Sequence, residues 1–156
     1  MGNKSQSVGE RGDGGMEGTY LHNIDAKGRL AVPARLRDEL GESFHVTISV
    51  SLARVISLAA YSKEGWEQFQ QKVNAMPALE KKKMDPFFTN AIACTVDSQG
   101  RILLPQNLRA LAKLQKDVAV VGVGDHAEFW DAEKWAEKNA VETDPEYLLR
   151  ALEALG

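Results

Sequence analysis

Two short segments of the sequence each place an aspartate four residues before an arginine, with a glycine directly ahead of the arginine. The first runs from Asp25 to Arg29 and the second from Asp97 to Arg101. In a tight turn the aspartate carboxylate can accept backbone N–H groups, while the glycine lets the chain reverse. The arginine then projects from the next strand, where its planar guanidinium can bind a phosphate or a guanine edge. These segments therefore favour binding to nucleic acid.

The same segments also have a purely structural interpretation, in which each aspartate and its arginine form an ion pair that holds the turn. We expect this role for the aspartates, whereas the role of the arginines stays open between the two interpretations. The residues expected to hold the loops are Asp25, Gly28, Asp97 and Gly100. The residues expected to contact DNA are Lys27, Arg29 and Arg101 in the loops, followed by Arg35, Arg37 and Arg109 beside them.

Both segments belong to an internal repeat. Residues 23–37 align with residues 95–109 without a gap at an offset of 72, and Asp, Gly, Arg, Pro, Leu and Arg coincide. A second block aligns residues 61–66 with residues 130–135 at an offset of 69, so the connection between the blocks differs by three residues. Such self-similarity indicates one small module present twice.

Each copy predicts the same order of elements. Alternating apolar residues predict two short strands around the turn, and we expect each pair to form a hairpin. A helix then starts at Pro33 or Pro105, and two further strands lead into a helix that contains Trp66 or Trp135. The predicted strands are 20–24, 30–32, 44–50 and 54–61 in the first copy, and 92–96, 102–104, 118–123 and 127–130 in the second.

Composition divides the chain further. The first 15 residues contain five glycines, which predicts a disordered leader. A last amphipathic helix, with leucines at 148, 149, 152 and 155, follows Asp144 and Pro145. The predicted segments are the leader 1–16, a first repeat 17–76, a linker 77–88, a second repeat 89–143 and a C-terminal helix 144–156.

The net charge of −3 argues mildly against nucleic acid as a partner, because neutralisation of phosphates supplies most of the non-specific affinity. The charge is unevenly distributed, however. Residues 1–124 carry 16 basic and 13 acidic side chains, whereas residues 125–156 carry 3 basic and 9 acidic ones. The acidic tail therefore leaves room for a basic face elsewhere.

The sequence offers few groups for catalysis or metal binding. His22 and Cys94 occupy equivalent positions in the two copies, which indicates packing, and His45 and His126 show no ligand spacing. A single cysteine excludes an intramolecular disulfide and a zinc cluster of cysteines. Without an apolar stretch of about 20 residues or a signal peptide, we expect a cytoplasmic protein. We expect that the protein is not an enzyme and that it binds no metal, cofactor, membrane or small-molecule substrate.

The two motifs, DAKGRLAVP at 25–33 and DSQGRILLP at 97–105, resemble the SpoVT/AbrB-like domain. Their tandem arrangement, each motif followed by Leu-Arg and later by an aromatic residue five positions before a tryptophan, is similar to the MraZ family of bacterial regulators. The resemblance covers residues 17 to about 145. Gln99 replaces the lysine of the first motif, Ser62 stands where the family often has proline, and the leader is longer than usual.

The resemblance implies an α+β, β-rich fold: a double-split β-barrel made of two AbrB-like repeats with short peripheral helices. It also implies a ring-shaped homo-oligomer that binds direct repeats in double-stranded promoter DNA of its own division and cell-wall gene cluster, in the cytoplasm at the nucleoid. In a ring, later contacts become intramolecular after the first, which offsets the acidic net charge of each subunit.

Two alternatives stay open. AbrB-like domains also occur in antitoxins that bind both DNA and a toxin, and a protein-interaction role of this kind competes with promoter binding. The second half of this chain is another folded copy rather than a toxin-wrapping tail, which disfavours that role. A purely structural ring is the other alternative. The helical tryptophans, Trp66 and Trp135, are expected to pack rather than to stack on bases.

Overall fold

The computed structural model describes residues 15–156, and this part of the chain has a mixed α+β, β-rich structure. The strands are β1 (Thr19–Asn23), β2 (Arg29–Ala31), β3 (Ser43–Val50), β4 (Ile56–Tyr61), β5 (Ile92–Thr95), β6 (Arg101–Leu103), β7 (Asp117–Gly122) and β8 (Ala127–Asp131). The helices are α1 (Ala34–Leu40), α2 (Lys63–Asn74), α3 (Ala78–Lys82), α4 (Asp85–Thr89), α5 (Gln106–Leu111), α6 (Ala132–Glu142) and α7 (Pro145–Leu155).

Six strands form one antiparallel sheet in the order β1-β7-β8-β4-β3-β5, and β2 pairs with β6 in a separate two-stranded ribbon. If each strand is exchanged for its counterpart in the other repeat (β1 for β5, β7 for β3 and β8 for β4), the same order is obtained in reverse. β1 of the first repeat pairs with β7 of the second, and β5 of the second pairs with β3 of the first. The two repeats are therefore interleaved rather than placed side by side.

The predicted hairpin within each repeat is wrong. The turn itself forms in both repeats, where the N–H groups of Asp25 and Asp97 donate to the carbonyls of Arg29 and Arg101, and in the first repeat a bridge joins Ile24 to Leu30. Beyond this bridge, β1 and β2 separate and pair with β7 and β6. Alternation of side chains predicts which face of a strand is buried, but it does not identify the neighbouring strand.

One hydrophobic core draws on both repeats. Leu30 and Ile102 pair across the ribbon and are fully buried, as are Leu36 on α1 and Leu108 on α5. Burial of a leucine side chain contributes about 1.5–3 kcal/mol, so these two residues anchor the short helices in this core. Cys94 also lies in this core, and burial raises the pKa of its thiol to about 11.

Helices cover the opposite face of the sheet. Trp66 of α2 is buried and stacks on His45 with ring centroids 4.9 Å apart, and Trp135 of α6 packs against Trp130 at 5.8 Å. Both helical tryptophans therefore pack against the sheet, as expected. The predicted linker contains α3 and most of α4, and α4 brings Phe88 to within 5.6 Å of the Trp66 ring.

The described chain joins the sheet one residue before the predicted start of the first repeat. Met16 is buried and exchanges two backbone hydrogen bonds, of 2.7 and 2.8 Å, with Gly124 in the turn between β7 and β8. Residues 1–14 of the predicted leader lie outside the described residues. At the other end, the Asp144 side chain accepts the backbone N–H of Glu146 and caps α7.

The α+β class is confirmed, whereas the barrel implied by the resemblance stays a prediction. Within residues 15–156 the strand pairings leave β1 and β5 as edges of the six-stranded sheet, so hydrogen bonding does not close this sheet into a barrel. In the same part of the chain, no helix has the length and apolar character needed to cross a membrane.

Candidate nucleic-acid interface

The first loop is a tight turn held by the carboxylate of Asp25. Its Oδ1 accepts the backbone N–H groups of Lys27 and Arg29, both at 2.9 Å, and its Oδ2 accepts Nε of Arg29 at 2.7 Å. Led by the bond from the Arg29 backbone N–H, these interactions lower the pKa of Asp25 to about 2. Gly28 closes the turn with a φ of +88°, a conformation that glycine adopts readily.

The second loop repeats this arrangement. Oδ1 of Asp97 accepts the backbone N–H groups of Gln99 at 2.8 Å and Arg101 at 2.9 Å, while Oδ2 accepts Nε of Arg101 at 3.3 Å. The bond from the Arg101 backbone N–H is the main reason that the pKa of Asp97 lies below its usual value. Gly100 has a φ of +79° and donates its N–H to the carbonyl of Asp97. Each aspartate thus accepts three hydrogen bonds within its own loop.

The ribbon is so short that the two loops, which precede its strands at opposite ends, lie near each other. Arg29 and Arg101 are the first residues of β2 and β6, and these strands run antiparallel with Leu30 opposite Ile102. As a result, Nη1 of Arg101 lies 3.9 Å from Oδ2 of Asp25, so that one carboxylate interacts with arginines of both repeats. This contact could not be inferred from the sequence, because it depends on the pairing of β2 with β6.

The helix arginines also lie against the loops. Nε of Arg37 donates to the carbonyl of Val32 at 2.9 Å, and a Cβ atom built onto Gly100 would lie 3.1 Å from Cζ of Arg37. The equivalent contacts in the other half are Nε of Arg109 to the carbonyl of Leu104 at 2.9 Å, and Cζ of Arg109 at 3.1 Å from a Cβ built onto Gly28. Each helix arginine therefore contacts the loop of the opposite repeat.

The other predicted contact residues are more exposed. Lys27 and its counterpart Gln99 are exposed near the tips of the loops. Arg35 is exposed on α1 and lines a groove with Glu17 and Asp38, and in residues 15–156 no hydrogen bond or ion pair joins it to either loop. The structure thus brings together five of the six predicted contact residues and sets Arg35 apart.

A second polar cluster, which was not predicted from the sequence, surrounds His126. Nδ1 lies 2.8 Å from Oδ1 of Asp125 and Nε2 lies 2.8 Å from Oε2 of Glu128, whose other oxygen accepts Nε1 of Trp130. Burial acts to lower the pKa of His126, but the bonds to Glu128 and Asp125 outweigh it and raise this pKa. The cluster fastens the turn that holds Met16. The two-residue spacing of His126 and Glu128, typical of one face of a strand, was the available signal.

The remaining candidates for catalysis do not converge. His22 lies on β1 at one edge of the sheet, whereas Cys94 lies on β5 at the other edge. His45 stacks on Trp66, and burial lowers its pKa. Among residues 15–156, no three His, Cys, Asp or Glu side chains are grouped so that they could hold a metal ion.

Comparison with known proteins identifies the family. The sequence model described as "MraZ protein, putative antitoxin-like" matches residues 16–85 and 87–143. A protein named transcriptional regulator MraZ from Desulforamulus reducens is 44% identical over 126 residues, which are 79% of this chain and 86% of that protein. Its namesake from Heliobacterium modesticaldum is 43% identical over 125 residues, which are 78% of this chain and 85% of that protein. A third, from Caldicellulosiruptor saccharolyticus, is 38% identical over 143 residues, covering 89% of this chain and 97% of the relative. With both repeats matched and such identity over most of its length, the chain belongs to the MraZ family.

Proposed function

We propose that this protein is a transcriptional regulator that binds double-stranded promoter DNA through its two adjacent loops. The observation that carries the proposal is the pair of arginines, Arg29 and Arg101, each oriented by a carboxylate that accepts its Nε. The side chains of these arginines are 36% and 27% exposed. The relatives named transcriptional regulators support the same role.

The loop geometry suits recognition of DNA. A carboxylate that accepts Nε fixes the direction of the guanidinium and reduces the conformational entropy lost on binding. The terminal nitrogens can then donate in pairs to a phosphate or to O6 and N7 of a guanine. Lys27 adds a mobile charge suited to phosphate. Arg37 and Arg109 add positive charge beside the loops, whereas Arg35 adds a more distant charge on α1.

The proposal includes an assembly and a target. Subunits associate into a homo-oligomeric ring and bind direct repeats in the promoter of the protein's own division and cell-wall gene cluster, in the cytoplasm at the nucleoid. Each contact after the first is then intramolecular, and the gain in avidity is roughly 10² to 10⁴. The six-stranded sheet and the ribbon are the two parts of a double-split β-barrel in this proposal. No cofactor or small-molecule substrate takes part.

The test combines Arg29→Ala with Arg101→Ala. We expect binding to the DNA upstream of the encoding gene to be lost in a mobility-shift assay, while circular dichroism and the native mass stay unchanged. Arg150→Ala, an exposed arginine on α7, is the control and retains affinity. In the parent protein log K falls with log salt by about 0.9 per neutralised phosphate.

Retained affinity in the double variant, or an affinity nearly independent of salt, contradicts the proposal. If the double variant unfolds, the dominant role of the two arginines is to form ion pairs with the aspartates. Arg29→Lys with Arg101→Lys then replaces it, because lysine keeps the positive charge but cannot donate through a planar fork. We expect this pair to bind DNA more weakly than the parent protein at every salt concentration, and equal binding overturns the arginine-specific mechanism.

A second candidate is a protein-interaction module, and the exposed apolar face of α7 favours it. Leu149, Leu152 and Leu155 are 53%, 65% and 84% exposed, which is typical of a surface that meets another protein. If the protein assembles into a ring but does not bind promoter DNA at low salt, this result supports the second candidate. Salt-sensitive binding to direct repeats supports the regulator instead.

A further inference from the structure

We propose that Arg37 and Arg109 are positioning residues, each of which shapes the DNA-binding loop of the opposite repeat. The two loops then form one cross-braced unit instead of two independent ones. The consequence for DNA binding rests on the proposed function, whereas the bracing itself can be measured in the free protein.

The first brace runs from α1 to the second loop. Val32, just after β2, accepts Nε of Arg37 on its carbonyl at 2.9 Å and donates its N–H to the carbonyl of Gly100 at 2.9 Å. A single residue of the first repeat thus connects the Arg37 side chain to the backbone of the second loop. Leu36, the preceding residue on α1, is fully buried and gives the brace a rigid base.

The guanidinium of Arg37 also lies face-on against Gly100. A Cβ built there would be 3.1 Å from Cζ, 3.3 Å from Nη2 and 3.4 Å from Nη1 of Arg37. Three nearly equal distances place this point over the plane of the guanidinium rather than at its edge. The arginine therefore supports the turn by packing and by a hydrogen bond together.

The second brace is the counterpart of the first. Leu104, just after β6, accepts Nε of Arg109 at 2.9 Å and donates its N–H to the carbonyl of Gly28 at 2.9 Å. A Cβ built onto Gly28 would be 3.1 Å from both Cζ and Nε of Arg109. Leu108, the residue before Arg109, is fully buried. The same construction on both sides shows that the bracing follows from the interleaved fold.

A direct DNA contact and a positioning role make different predictions. If Arg37 acts through the second loop, its loss disturbs the residues around Gly100 in the free protein, before any DNA is present. A direct contact leaves the free loop unchanged. The reciprocal effect, from Arg109 to the loop around Gly28, follows from the same geometry.

The experiment measures amide hydrogen exchange in the full-length protein without DNA. In Arg37→Ala we expect exchange at Gly100 and Arg101 to rise roughly threefold to tenfold, the factor that loss of one ordinary hydrogen bond gives. The first loop stays at the parent rate. Arg109→Ala gives the opposite pattern, with faster exchange at Gly28 and Arg29 only.

Arg35→Ala is the matched control, because it removes an exposed arginine from the same helix and changes exchange in neither loop. If Arg37→Ala unfolds, Arg37→Lys replaces it, since lysine can still donate to Val32 but has no planar group to cover Gly100. The same loop then shows the faster exchange. Unchanged exchange in both loops, or a change confined to the loop of the same repeat, overturns the inference.

A double-mutant cycle then connects the brace to DNA binding. Arg37→Ala combined with Arg101→Ala is expected to weaken binding little more than the stronger single substitution, because both act at the second loop. Additive losses mean that Arg37 contacts DNA by itself, which overturns the positioning role. A parent protein that binds no promoter DNA refutes the proposed function alone, and the exchange pattern still decides whether the braces exist.

Discussion

The two loops share one hydrogen-bond pattern but differ in how they use their arginines. In the first loop Nε of Arg29 lies 2.7 Å from its aspartate, and the side chain is 36% exposed. In the second loop the corresponding distance for Arg101 is 3.3 Å, the side chain is 27% exposed, and Nη1 also lies 3.9 Å from Asp25. The second arginine is therefore partly engaged with the first loop, and Lys27 has an uncharged counterpart in Gln99. The arginine of the first loop is therefore the more exposed of the two, and the arginine of the second loop lies between two carboxylates.

The largest difference is expected when the two loop glycines are replaced. Both have positive φ, so alanine at Gly100 costs about 1–3 kcal/mol of unfolding free energy. Alanine at Gly28 costs more, because its Cβ would lie 2.9 Å from the carbonyl oxygen of Leu104, whereas at Gly100 it meets only the end of the Arg37 side chain. Urea unfolding of Gly28→Ala and Gly100→Ala measures the difference. Equal costs would show that the backbone near Leu104 yields as easily as a side chain.

Single arginine substitutions sharpen the comparison at the level of DNA binding. Arg29→Ala is expected to cost about 1–3 kcal/mol of binding free energy, the usual value for a bidentate contact. Arg101→Ala is expected to cost less affinity, because this side chain is less exposed and lies between two carboxylates. Titration of each variant with the same promoter duplex gives the two values. A larger loss for Arg101 would contradict this expected order.

The sequence predicted the elements well because their signals are local. The prolines before α1 and α5 and the buried spacing of Leu36 and Leu108 depend on near neighbours along the chain. The equivalence of His22 and Cys94 also agrees with their registers, since each pairs with a core residue of the other repeat. The identity of that partner strand was not predictable, because a repeat with one pattern fits its own copy and the other copy equally well.

The sequence indicates which residues lie in the two loops, but it does not indicate which contacts join the loop of one repeat to the other repeat. Spacing alone brings each aspartate within reach of the backbone N–H groups of its own turn, and the glycines of both turns have positive φ. The contact of Arg37 with Gly100 could not be foreseen, since 63 positions separate these residues and only the interleaved ribbon brings them together. Arg35, two positions from Arg37, appeared equivalent in sequence but faces a groove with acidic residues. Side-chain direction on a short helix separates the two.

The two loops also differ in charge at Lys27 and Gln99, and exchanging these residue types is expected to change DNA affinity less than the arginine substitutions do. Lys27→Gln is expected to lower DNA affinity and to reduce the slope of log K against log salt by about 0.9, the value for one phosphate contact. Gln99→Lys is expected to raise both. Because both positions are exposed, neither change should alter the free energy of unfolding by more than about 0.5 kcal/mol. Unchanged slopes in both variants would place the loop tips away from the phosphates.

The smallest expected effect is the response of the two loops to acid. The pKa of Asp25 is lowered to about 2 and that of Asp97 is also lowered, so each carboxylate stabilises the folded state above the unfolded value near 3.8. This stabilisation is lost as the pH falls through the folded pKa.

Since the bond from Arg101 to Asp97 is longer than that from Arg29 to Asp25, we expect Asp97 to be protonated first and the second loop to loosen at a higher pH. Carboxyl carbon chemical shifts followed by NMR between pH 5 and 1.5 measure both titrations. In Arg101→Ala the pKa of Asp97 should rise, and that of Asp25 should rise less, because Asp25 keeps its bond from Arg29 and loses only a contact at 3.9 Å. The reverse order of protonation would mean that backbone donors alone set the two values and that the arginines do not distinguish the loops.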